Sequence, residues 1–216
     1  MNAREILDLI DEGESTTLEF KRKVRNPEKL AREISAFANT RGGFILVGVD
    51  DNGTIYGVRS EKSEIDIIEL AAGFFLDPPV EPEIDMVNVK SREVVVVYIP
   101  QSETKPHVVL HEDKQTGKQF RRAYVRVGEK SVVASRNMAN LMTYQNDDAE
   151  PLEISIGDRE KRLFAYLGHR ERATAKDFSR LVNISQRRAE RILIKLVRAG
   201  VLQIHTDQTY DYFTLV

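Results

Sequence analysis

The chain has 216 residues, 41% of them hydrophobic and 31% charged, with no cysteine and a formal net charge of −2. This composition supplies a buried core for one or two domains and excludes a disulfide scaffold, a Cys-ligated zinc module and a uniformly basic nucleic-acid coat. No apolar run approaches the ~20 residues of a membrane helix, and the opening MNAREILDLIDEGE lacks the basic start and apolar stretch of a signal peptide. A soluble, cytoplasmic protein without a membrane partner is expected.

In chain order, residues 3–11 read as a short amphipathic helix with Ile6, Leu7 and Ile10 on one face and Gly13 as its stop. In TTLEFKRKV, Leu18 and Phe20 alternate with Glu19, Lys21 and Lys23, which is the period of a strand. Asn26 caps the next helix and Pro27 occupies its first turn, where a missing N–H costs nothing. Leu30, Ile34 and Phe37 form its apolar stripe, and Gly42–Gly43 end it. FILVGV, residues 44–49, is a buried strand. DDNG at 50–53 is a turn, and TIYGV returns as a strand.

A helix follows over Glu64–Phe74, and DPP at 77–79 cuts it off. EIDMVNVK and EVVVVYIP pair around Ser91–Arg92. SETKPHVVLHEDKQTGK is a loop, FRRAYVRVG a strand, EKS a turn and 135–145 a helix. The body is α+β with a mixed or antiparallel sheet. QNDDAEPLEIS is polar and aperiodic, so a linker is placed at 146–157, between a domain at 1–145 and another at 158–216. Charge follows the same division. Residues 151–216 carry 12 Lys+Arg against 8 Asp+Glu, leaving 20 against 26 in the body.

The tail holds three helical patterns and a hairpin with TDQT at its tip, which is the plan of a winged helix-turn-helix. Its third helix begins at a Ser185 cap and turns Ala189, Ile192, Leu193 and Leu196 inward. Its outer face carries Gln186, Arg187, Arg188, Arg191 and Lys195, side chains that read base edges and phosphates in a major groove. The competing reading is a solvated charged face on a domain that only packs or dimerises. The absence of lysine and arginine from the wing weighs toward it.

ESTTLEFKRK, ISAFANTRGGFILVGVDDNGTIYGV and RRAYVRVGEKSVVAS together resemble the Schlafen AlbA-type domain over about residues 10–145. The resemblance implies nucleic-acid binding, often with a winged helix after the domain, and points to a DNA-binding transcriptional regulator. Some Schlafen proteins cut tRNA and rRNA with three acidic residues. Matched by motif, these fall on Glu14, Glu19 and either Asp50 or Asp51, with Asp50 preferred because it follows the strand directly. Such a site would hold Mg or Mn on oxygen ligands, with Lys21 on the same strand face as Glu19. The alternative is a solvent-facing strand whose charges pair across the sheet.

Arg22, Lys23 and Arg25, with Lys29 and Arg32, and Arg121, Arg122 and Arg126 from the later strand, are candidates for the phosphate backbone of DNA or structured RNA. An ATPase is excluded: the nearest approach to G-x-x-x-x-G-K-[ST] is TGKQF, which lacks the leading glycine and the hydroxyl residue. The double glycine of NTRGG reads first as a tight turn and only second as a phosphate contact. His107 and His111, beside Glu112 and Asp113, have helical spacing for a metal pair, but on a loop they read as a titrating pair. A homodimer would double a single shallow binding surface.

Overall fold

Asn2 starts the first helix, α1 (Ala3–Glu12): its side chain accepts from the N–H groups of Arg4 and Glu5, and Glu5 accepts from the N–H of Asn2 in return. The computed structural model describes residues 1–113, 115–144, 155–207 and 210–216, which form two units, Met1–Val133 and Ala134–Val216. Both are built from α and β elements, and the sheets of the first are partly mixed.

The first sheet has the order β1 (Leu18–Lys21), β2 (Gly43–Val47), β5 (Arg92–Ile99), β4 (Glu83–Val89). β1 and β2 are parallel, and the other two pairings are antiparallel. A parallel pair needs a crossover, which α2 (Pro27–Asn39) supplies, capped by the Asn26 side chain on the N–H of Lys29. Both faces of this sheet are covered. Ile6 of α1 packs with Leu18, Phe20, Leu46, Val94 and Val96. On the opposite face, Ile34 and Phe37 of α2 and Ile68 of α3 (Glu61–Gly73) pack with Ile45, Val47, Val95 and Val97. Neighbouring residues of β2 and β5 therefore enter different cores, which is why those strands read as unbroken apolar runs.

The second sheet is antiparallel, in the order β3 (Leu76–Asp77), β6 (Val108–Glu112), β7 (Gln119–Val127), β8 (Lys130–Val133). Its Val109 and Tyr124 join the α2 core, so α2 touches both sheets. The sequence hid two of these features. β6 lies inside a stretch that reads as loop. TIYGV forms no strand: it makes one bridge, Val49 to Ile55, and is otherwise held by single backbone bonds.

Two tight junctions fix where α2 meets the sheets. A Cβ at Gly42 would lie 2.6 Å from the Ile99 carbonyl oxygen, and one at Gly43 would lie 2.4 Å from that of Thr17. The double glycine is thus required by backbone approach within the fold. Buried Asn39 at the end of α2 forms the other junction. Its Nδ2 donates to the carbonyls of His107 (2.9 Å) and Tyr124 (3.0 Å), and its Oδ1 accepts from the His107 N–H (2.8 Å).

In the second unit, α4 (Arg136–Tyr144) packs with α7 (Gln186–Arg198), and the Ser135 hydroxyl donates to Asp211 at 2.6 Å. This helix, assigned from sequence to the first domain, falls within the second unit. α5 (Asp158–Arg170), α6 (Ala175–Val182) and α7 share a core of Leu163, Leu167, Phe178, Ala189, Leu193 and Leu196. Leu202 of β9 (Leu202–Thr206) and Phe213 of β10 (Asp211–Leu215) close it, and the two strands pair antiparallel. Most of the expected linker, residues 146–154, and Gln208–Thr209 at the hairpin tip lie outside the described residues. Among the described residues no helix is long and apolar enough to cross a membrane.

Asn39→Ala removes a donor and an acceptor from three buried backbone groups, of which the His107 carbonyl keeps the Ser35 hydroxyl at 2.8 Å. The expected loss is roughly 3 kcal/mol or more of unfolding free energy, read from the midpoint of a urea titration at unchanged slope.

Candidate nucleic-acid interface

Alternation in β1 sends Leu18 and Phe20 toward α1, so Glu19 and Lys21 face the other way, toward α2. That face is also covered, and Glu19 is 7% exposed. It meets Arg126 of β7, whose side chain is fully buried: Arg126 Nη1 donates to Glu19 Oε2 at 2.9 Å and to Glu33 Oε2 at 3.3 Å. Arg126 Nη2 donates to the Ser15 carbonyl at 2.6 Å, and the guanidinium carbon lies 4.6 Å from the Phe37 ring centroid. The Lys21 ammonium donates to the second oxygen of Glu19. Glu19 is therefore neither a solvent-facing charge nor a free ligand. Both its oxygens are occupied by cations of the fold.

The other expected acids sit at the rim. Glu14 Oε1 accepts the N–H of Phe20 at 2.9 Å. Burial pushes the Glu14 carboxyl up from its ordinary value, and the charges of Glu19 and Asp51 push it further. Asp50 lies 3.9 Å from Arg22 Nη1. Burial likewise raises Glu33, with Glu19 as the next cause. Among the described residues no three His, Asp or Glu side chains are arranged to hold a metal ion. With Glu19 engaged by Arg126 and Lys21, the three carboxylates as placed do not fit a Mg or Mn site.

Beyond β1 the chain turns basic, and the fold gathers that charge. A cleft of about 730 Å³ is lined by Lys21, Arg22, Lys23, Arg25, Arg59 and Arg92, with Asp50, Asp51, Glu64 and Tyr56. Buried Glu64 accepts the N–H of Val24 at 2.9 Å, which fastens the Lys23–Arg25 segment to α3. Six cations thus face three carboxylates, one of them turned to the backbone. Arg59, Arg92 and Tyr56 were missed by sequence reading. Tyr56 and Arg59 had only their proximity to DDNG as a signal, and the fold brings that segment to β1 because Tyr56 and Gly57 both donate to the Gly48 carbonyl, at 2.8 and 2.9 Å; Arg92 comes from the start of β5.

The later arginines do not join this cleft. Arg126 is a correction: it is buried within the fold and cannot meet a phosphate. Arg121 pairs with Asp77. Arg122 is exposed, 4.9 Å from the Phe120 ring centroid. Arg32 pairs with Glu28 at 2.9 Å, and Lys29 is exposed. The two histidines are also corrected. Both are buried, in separate networks: His107 reaches the Pro78 carbonyl and the Ser102 hydroxyl, both at 2.7 Å, while His111 reaches Glu28 at 2.6 Å and the Tyr124 hydroxyl at 3.1 Å.

In the second unit, Ser185 caps α7 by accepting the N–H of Arg188 at 3.3 Å. Ala189, Leu193 and Leu196 are buried, so the opposite stripe must face outward, and Gln186, Arg187, Arg188, Arg191 and Lys195 are all exposed. Glu190 tempers this face by accepting from Gln186 at 3.2 Å.

The family model described as Schlafen, AlbA_2 matches residues 14–135. Two solved structures are similar at low identity. The DIP2311 protein of Corynebacterium diphtheriae is 21% identical with a TM-score of 0.46, over 76% of this chain and 32% of its own. The chain therefore spans about a third of that protein's length. The N-terminal domain of a protein described as related to the ATP-dependent DNA helicase RecG, from Nitrosomonas europaea, is 21% identical with a TM-score of 0.38, over 63% of this chain and 93% of its own.

Replacing Arg126 by Ala takes the ion-pair partner from Glu33 and leaves Glu19 with Lys21 alone. Breaking a buried pair from one side costs about 3–5 kcal/mol; a thermal melt of Arg126→Ala is expected to show that loss, and Arg122→Ala to show almost none.

Proposed function

The chain belongs to the Schlafen AlbA_2 family, and on that basis we propose that it is a nucleic-acid-binding protein, acting as a DNA-binding transcriptional regulator. The observation that carries this reading is the outer stripe of α7, five exposed residues of which four are cationic and one is an amide. The helix is held by its other side to α5, α6 and the hairpin, which supports reading the second unit as a winged helix-turn-helix. In that docking, Arg187, Arg188 and Arg191 meet phosphates and guanine edges, and Gln186 meets adenine. The cleft that begins at Lys21 gives the first unit its own polyanion surface, with Arg22, Lys23 and Arg25 toward phosphates. A two-fold homodimer belongs to the same proposal, since it would present each surface twice; sedimentation velocity reads it directly.

Binding to a labelled duplex by fluorescence anisotropy, over a range of salt, tests the role of α7. Each lost phosphate contact makes the plot of log K against log salt shallower by about 0.9. Arg187→Ala with Arg188→Ala is expected to weaken binding and flatten the slope by about 1–2. An unchanged slope removes α7 from the interface.

A second reading, a metal-dependent endoribonuclease acting on tRNA or rRNA, draws on one observation: Glu14 is within electrostatic reach of Glu19 and Asp51. The pairing of Glu19 speaks against it. Glu19→Ala is a poor test, because it also disturbs the fold. Glu14→Gln and Asp51→Asn leave Arg126 paired. On this geometry tRNA incubated with Mn²⁺ stays intact on a denaturing gel. Fragments that vanish in both variants would overturn that expectation.

A further inference from the structure

We infer that the cleft of the first unit takes single-stranded nucleic acid, with one unpaired base stacked on the Tyr56–Arg22 pair. This rests on the nucleic-acid reading above and names the form of ligand that the cleft selects.

An exposed tyrosine alone needs no explanation. Tyr56 differs in three respects. It is 42% exposed, yet its backbone is pinned on both sides: Tyr56 and Gly57 donate to Gly48, and Val58 donates to the Glu93 carbonyl at 2.8 Å. Gly57 sits where a Cβ would lie 3.0 Å from the Arg92 Cβ, so the segment is pressed onto β5 and does not swing. The ring is also already part of a stack. The Arg22 guanidinium carbon lies 3.8 Å from its centroid, while the Arg22 side chain remains 57% exposed. Finally, the stack stands within a cleft rich in arginine and lysine.

A planar aromatic beside several cations matches the chemistry of a nucleotide. Phosphates take the cations, and a base extends the ring–guanidinium stack. In a duplex the bases are stacked on each other and their faces are closed, so a protruding ring has nothing to stack on. A single strand offers an open face at every residue. Asp50 lies 3.9 Å from Arg22 Nη1. Such carboxylates also oppose loose phosphate contact, which favours a ligand that gains affinity from stacking as well as charge.

The test is anisotropy at low salt with labelled single strands of about a dozen nucleotides, in ribo and deoxyribo form. Each is set beside an abasic strand of equal length. Full-length chains carrying Tyr56→Ala or Tyr56→Phe are compared with the unsubstituted chain, in the presence and absence of Arg187→Ala/Arg188→Ala, so that any contribution of α7 is separated. Tyr56→Ala is expected to weaken base-bearing strands by about five- to a hundred-fold and to leave abasic strands unchanged; Tyr56→Phe is expected to bind as the unsubstituted chain does. Preference for the ribo or the deoxyribo strand identifies the source, and either supports the inference. Equal binding of abasic and base-bearing strands, or equal loss on both in Tyr56→Ala, overturns the stacking role and leaves the nucleic-acid reading standing. Failure of every strand and of duplex to bind overturns both.

Discussion

A guanidinium without water is stable only if the fold surrounds it with acceptors, and Arg126 dictates much of the first unit by that requirement. It draws Glu19 from β1, Glu33 from α2, and the Ser15 carbonyl from the segment before β1. Ser131 of β8 donates to Glu33 as well as accepting from Arg126. Both sheets and the helix that touches them thus share one charge network. Desolvation of three ionised groups is unfavourable, so the network specifies register more than it stabilises: a slip of β1 by one residue would place a phenyl or isobutyl group against Arg126. The raised carboxyl of Glu33 is the residue of that conflict.

This anchoring has a consequence at the surface. With Glu19 turned inward and Lys21 folded onto it, the next residues of the chain run outward along the cleft, held by the bond from Val24 to Glu64. The acids of the body are therefore not spread evenly in effect. Glu19, Glu33 and Glu64 are turned to Arg126, Ser131 and a backbone N–H, and do little to the field outside. A body that is acidic by count presents a basic cleft. Net charge speaks to solubility and association in general; local placement decides which surface attracts a polyanion.

Much of the fold was legible in the residues. Asn26 with Pro27 marked the start of α2, Ser185 that of α7, and the inward stripe of Ala189, Leu193 and Leu196 fixed which side of α7 is exposed. The site was harder for a definite reason. The rule that the polar side of a strand faces water assumes that one side of the sheet is open. Here α1 covers one side and α2 the other, so the Glu19 side is interior, and nothing in TTLEFKRKV records how many layers the sheet will carry. The same blindness affected Arg126, which reads like Arg121 and Arg122 until its partners are known. β6 was hidden because its buried positions are Val109 and a histidine, His111, directly after another buried histidine, His107, and a histidine reads as loop when its partners, here Glu28 and Tyr124, lie outside that stretch.

The segment after DDNG shows how a site can be made from residues with no motif of their own. Gly48 and Gly57 approach until a Cβ on Gly48 would lie 3.0 Å from the Gly57 Cα. That contact lets Tyr56 and Gly57 share one carbonyl, which a strand could not do, and so the chain leaves the ladder just where Tyr56 must project. A regular strand here would turn alternate side chains into the sheet faces and close the cleft. The departure from β geometry, driven by two glycines, is what sets an aromatic ring against Arg22. In the stacking proposed above, the pinned backbone of Tyr56 places the ring before a ligand arrives, which lowers the ordering cost of binding.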